Sequence, residues 1–178
     1  MRVYIITLIG LVMVASCQVS YQYQARQDVL CPINMGLTLN DTAPKRDPLA
    51  FTPVDISSYT HVASITQNDF VGIQRLVTLY FVATDDTDQS WYVYLSIDGE
   101  QLDIQGGTLA ANDYRAGRIL FNSSGDLRVT EPDRFRSPQL IFDDDQYEYQ
   151  FIITIDPTTT VLGSEYAATI SVPGCQLD

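Results

Sequence analysis

The chain has 178 residues, a length that suits one domain and is enough to bury a sizeable core. Its formal net charge is −12, with only 10 Lys and Arg, so a nucleic-acid partner, which needs clustered basic residues, is excluded. A basic patch for anionic lipid is excluded on the same ground, and 11 Tyr among many Thr and Val lean the composition toward strands.

In chain order, Met1 and Arg2 form a short positive start, followed by the uncharged run "VYIITLIGLVMVA" (residues 3–15). The run is shorter than the ~20 residues of a comfortable transmembrane helix and fits the core of a secretory signal. Ala15, Ser16 and Cys17 follow, and "VASC" resembles the bacterial lipobox, in which small residues precede a cysteine that takes an acyl chain. The reading is a lipoprotein signal over residues 1–16 and lipidation, with palmitate as the label, at Cys17; the alternative is an ordinary signal cut nearby. Gln18 in place of Asp points to the outer membrane by the same resemblance. Losing Arg2 takes the charge from −12 to −13, so acyl chains rather than surface charge would hold the protein to a membrane.

Residues 17–35 read as an anchor or linker with a possible first strand in "VSYQYQAR" (19–26), and residues 36–178 as the domain. "NDTAPKRDPLAFTP" (40–53), with three prolines, reads as an extended connector. Period-two alternation then marks strands at 61–67, 74–84, 90–98, 118–122, 126–130, 138–142, 147–155 and 165–172. "SSG" between two of them signals a hairpin with Gly125 in the left-handed position. About eight short, mainly antiparallel strands and no helix of any length define an all-β barrel or sandwich.

Candidate chemistry is sparse. His61, the one histidine, sits at a strand edge without the partners of a triad or metal site, and reads as a partly packed surface residue. Asp85, Asp86 and Asp88 share one turn and Asp143, Asp144 and Asp145 another. Calcium favours such loops, but neither follows the EF-hand spacing, and both read as solvated turns. No carboxylate pair is singled out for glycoside chemistry. Gly106 and Gly107 lack the strand-to-helix setting of a phosphate loop. Trp91 alternates with Val93 and Leu95 and reads as core. No catalytic residue, metal or cofactor is expected.

The stretch "ITQNDFVGIQRLVTLYFVATDDTDQSWYVYLSIDG" (65–99) resembles the outer β-domain of the bacterial flagellar hook protein. The likeness extends back through Phe51, Thr52, Pro53, Asp55 and "SSYTH", then runs through Asp69 and Gly72 on a tight turn. It continues in "TLYFV" with Tyr80 and Phe81, Trp91 to Tyr94 with its Val-Tyr, Asp98 and Gly99, and a hairpin with Gly117, Ile119, Phe121, Asn122, Gly125 and Leu127. It covers roughly residues 36–130, and more loosely to about 172. Phe70 and Val71 replace the family's Ser-Leu in the turn, and Arg75 replaces its usual His. The resemblance implies a non-enzymatic structural or binding domain, with flagellar association and a flagellar or envelope protein partner. Hook subunits carry helical segments at both ends and leave without a cleaved signal, whereas this chain shows a signal and no such helices. A lipid-anchored relative is therefore expected; a general outer-membrane lipoprotein binding a protein or glycan is the alternative. In the hook protein this domain is an insertion, so its entry and exit strands lie side by side. That implies a disulfide between Cys31 and Cys175, two free thiols being the alternative.

Overall fold

The computed structural model describes residues 25–85, 89–109, 111, 114–142 and 146–178. Thirteen strands are present among them: β1 (Gln27–Asn40), β2 (His61–Asn68), β3 (Gln74–Ala83), β4 (Ser90–Ile97), β5 (Glu100–Leu102), β6 (Thr108–Leu109), β7 (Arg115–Phe121), β8 (Leu127–Glu131), β9 (Phe135–Arg136), β10 (Tyr147–Ile155), β11 (Val161–Gly163), β12 (Ala167–Ser171) and β13 (Gln176–Leu177).

They form two sheets. The second is a meander, β2-β3-β4-β7-β6, with β5 on β4 and β8 on β7. The first is built around β1, which takes β10 and β11 in parallel and β12 and β13 antiparallel, with β9 beyond β10. The chain is thus all-β, sandwich-like and mainly antiparallel, as expected, with parallel pairings only where β1 meets β10 and β11. Nine residue pairs from Gln27 with Tyr147 to Met35 with Ile155 run parallel. Parallel neighbours require a long crossover, and here the whole second sheet is that crossover.

β1 also moves the domain start. The strand begins at Gln27 rather than near residue 36, and its odd-numbered residues Val29, Cys31, Ile33, Met35, Leu37 and Leu39 are buried. Residues 19–24 of the proposed first strand lie outside the described residues. The strand expected at 138–142 is reduced to one bridge between Leu140 and Tyr149, the ladder hydrogen bonds being taken two residues earlier by Phe135 and Arg136. Pro138 has no N–H to donate to a ladder.

Alternation sorts the side chains. Val77, Leu79, Phe81 and Ala83 of β3 and Trp91, Val93, Leu95 and Ile97 of β4 face Tyr149, Phe151, Ile153 and the β1 row across the main core. The opposite face of the meander carries Tyr80, Val82, Tyr92 and Tyr94. The 40–60 connector folds over that face. Asp47 caps a single 3-10 turn, Pro48–Ala50, by accepting from the Leu49 N–H, and Phe51 then drops into the second apolar cluster.

Candidate functional site

The motif residues fall into four places. Phe81, Trp91 and Phe121 are main-core side chains, each at most 2% exposed. Tyr80 and Tyr94 lie under the connector: the Phe51 ring stacks on Tyr94 with centroids 3.9 Å apart and sits 5.3 Å from Tyr80. The Tyr94 hydroxyl donates to the Pro48 carbonyl at 2.6 Å, and burial pushes its phenol well above the ordinary range. Gly125 takes φ +85° in the β7–β8 turn, and its carbonyl accepts from Leu162 N–H of the other sheet at 2.7 Å.

The fourth place joins two turns. Asp69 opens the β2–β3 connection as a buried carboxylate, its Oδ1 accepting from Val71 N–H (3.1 Å) and Ile73 N–H (2.8 Å). Gly72, at φ +92°, closes that turn through its N–H to the Asp69 carbonyl. Asp98 and Gly99 take φ +52° and +86° between β4 and β5, and Asp98 Oδ1 accepts from Leu76 N–H at 2.8 Å. Arg75 bridges them: Nε reaches Asp69 Oδ2 at 3.0 Å, and Nη1 reaches Asp98 Oδ2 at 3.3 Å. The flat face of its guanidinium lies 3.7 Å from the Phe142 ring centre. Phe70 packs on Tyr147 at 5.2 Å, tying the same turn to β10.

Sequence reading placed Asp69, Gly72, Asp98 and Gly99 on turns but did not join them. Arg75 was noted only as a departure, and Phe142 went unremarked. The available signal was scarcity: an arginine set between two aspartate turns in a chain this poor in cations has few other partners.

Cys31 and Cys175 form a disulfide, with Cα atoms 4.1 Å apart and a sequence separation of 144. It lies between the β12 and β13 pairings on the same side of β1, so the entry and exit strands are side by side. Cys17 and the signal lie outside the described residues, as do Asp86, Asp88, Asp143, Asp144 and Asp145. Among the described residues no group of three or more His, Cys, Asp or Glu is placed to hold a metal, and no helix is long and apolar enough to cross a membrane.

His61 lies at the other end of the meander. Its ring stacks between Tyr166 (4.3 Å) and Trp91 (5.5 Å), and burial holds its pKa below the ordinary value. Lys45 Nζ sits over the same indole, 5.8 Å from the ring centre. A shallow cavity of about 280 Å³ opens there, lined by Asp41, Lys45, Thr84, Asp85, Gln89, Trp91 and Leu162.

The described residues thus form a two-sheet β-domain whose entry and exit strands are joined by a disulfide. Residues 38–172 match the family model of the flagellar basal body protein FlaE D2 domain, and the chain belongs to that family. A 32 kDa fragment of the flagellar hook protein FlgE from Caulobacter crescentus is similar at 18% identity over 66% of this chain, with a TM-score of 0.37. The match covers 46% of that fragment, so the chain spans less than half its length. No functionally curated protein matches.

Proposed function

We propose that this protein is a lipid-anchored, non-enzymatic structural domain of the bacterial cell envelope that works with the flagellum through protein contacts. The observation that carries the reading is the family match over residues 38–172, which supports a structural flagellar role. Two features support an anchored domain. The disulfide and the β13 pairing tie its entry and exit strands together. The "VASC" sequence supplies an acylation site at Cys17, ten residues before β1 begins. Disulfides persist in oxidising compartments, in keeping with an extracytoplasmic setting.

Two experiments test the reading. Metabolic labelling with palmitate should mark the wild type and not Cys17→Ala; equal labelling, or none in either, refutes the anchor. A deletion strain should swim poorly or carry defective hooks and basal bodies; normal swimming with normal basal bodies refutes the flagellar role.

A further inference from the structure

The end of the sandwich where the chain enters carries one group of exposed apolar side chains; another, Leu49, Val54 and Ile56, lies on the 40–60 connector. Gln27, the first residue of β1, pairs with Tyr147, and Tyr147 packs on Phe70 of the β2–β3 turn. β13 places Leu177 beside Val29 at the same end. Around this point Phe70, Val71, Ile73, Ile141 and Leu177 are each between 39% and 48% exposed. A solvated turn is ordinarily filled with Asn, Asp, Ser or Gly. Here Asp69 and Gly72 already satisfy the turn's geometry, and Phe70 ties it to Tyr147, but Val71 and Ile73 contribute nothing to it that polar residues would not. Part-exposed apolar side chains gathered at one end offer a surface for an apolar contact.

We propose that this end rests on the lipid bilayer, with Phe70, Val71 and Ile73 entering the headgroup boundary. The inference rests on acylation of Cys17 and adds to it the orientation of the domain. Residues 17–26 span at most roughly 35 Å when fully extended, and they join the domain beside Tyr147, so an acyl anchor delivers this end, and not the opposite one, to the membrane. An apolar contact on the same surface adds to the hold of an acyl anchor. The charges nearby set the lipid. Arg75 is engaged by Asp69 and Asp98, Arg26 lies 3.5 Å from Glu148, and Asp28 and Asp178 flank Leu177. A patch with these neighbours suits a zwitterionic surface and is repelled by an anionic one.

The test uses the acylated mature protein in phosphatidylcholine vesicles with brominated acyl chains, which quench a nearby indole. Phe70→Trp and, separately, Val71→Trp are compared with Val54→Trp, an exposed site on the connector at the far end of β3; buried Trp91 supplies a constant background. The expected result is quenching severalfold stronger at positions 70 and 71 than at 54, weakened when anionic lipid is added. Palmitate-labelled protein in which the three positions quench equally overturns the orientation while leaving the anchor standing. So does a Phe70 photo-crosslink in cells that goes to a protein rather than to lipid. Protein that carries no palmitate removes the tether and overturns the inference together with the anchor.

Discussion

Arg75 and Asp98 meet across two separate turns, 3.3 Å apart, while the same guanidinium holds buried Asp69 at 3.0 Å. One cation thus sets the β2–β3 and β4–β5 connections against each other. Replacing it leaves the Asp69 carboxylate with its two backbone donors but no counter-charge. Breaking a buried pair from one side costs about 3 kcal/mol, whereas exposed pairs are worth a fraction of that. Arg75→Ala should therefore lower the urea midpoint by an amount equivalent to about 3 kcal/mol at unchanged m-value. Arg75→Lys should recover only part, because a point charge cannot serve both carboxylates and lie flat on Phe142. Full recovery by lysine would show that charge alone matters.

The disulfide closes a loop of 144 residues, for which the chain-entropy model gives about 5 kcal/mol as an upper figure. Cys31 is fully buried, so the paired serine variant Cys31→Ser with Cys175→Ser also puts a hydroxyl into the core. Reduction of the wild type is the cleaner measurement. Denaturation with and without reductant should differ by about 2–5 kcal/mol, and a coincident pair of curves would mean that the strand pairings alone hold the base.

Two glycines separate backbone strain from crowding. Gly72 sits at φ +92° with open space where a Cβ would go, so Gly72→Ala should cost about 1–2 kcal/mol from the left-handed backbone alone. At Gly117 an added Cβ would lie 2.5 Å from the Phe135 ring, and Phe135 is fully buried. Gly117→Ala must push that ring and should cost about 1–3 kcal/mol, with altered near-ultraviolet signals from the core that Gly72→Ala lacks. Equal spectra in the two variants would contradict this division.

The meander was legible in the sequence because each strand buries one face, which leaves the alternation of "TLYFV" and "WYVYL" readable, and because Gly72, Gly99 and Gly125 mark its turns. β1 was hidden for a physical reason. Pro32 and Gly36 interrupt it, both its faces are partly covered near Met35 to Leu37, and a strand flanked on both sides shows a weaker period. Its parallel partner β10 was found, but nothing local tells a strand which way its neighbour runs. β11 and β13 are too short to carry a pattern. At the turn cluster, Asp69 and Asp98 were each visible as turn formers. Their joining by Arg75 depends on the register of β3 against β4, in which Val77 faces Ile97, and that is set by the fold as a whole.

Stability should fall on both sides of neutrality through residues that share one stack. His61 is held below its ordinary pKa of 6.5 by burial, and its Nε2 has no hydrogen-bond partner among the described residues. As pH falls through 6.5 the unfolded chain takes up a proton that the folded imidazole resists, so the unfolded state gains and stability declines. Asp55 and Asp156 are held below 3.8 by hydrogen bonds from Ser57 and Thr158, so their contribution is lost only as pH falls further. The interval from about pH 6.5 to 4.5 therefore isolates His61 from those two carboxylates. On the alkaline side, burial raises the Tyr166 phenol from 10 to about 12, and the buried Tyr94 phenol, outside this stack, adds to the same limb. The unfolded chain releases that proton first, and stability is lost as pH rises from about 10 through about 12. His61→Phe keeps an aromatic ring between Tyr166 and Trp91 and should flatten the acid limb of a urea-midpoint profile while leaving the alkaline limb in place. Tyr166→Phe should shallow the alkaline limb, and also lower the midpoint at pH 7 because it removes the 3.0 Å hydrogen bond to the Val62 carbonyl. An acid limb unchanged in His61→Phe would show that the imidazole takes up its proton equally in the folded and unfolded chain, and a steeper one that the flanking rings stabilise the cation instead of excluding it.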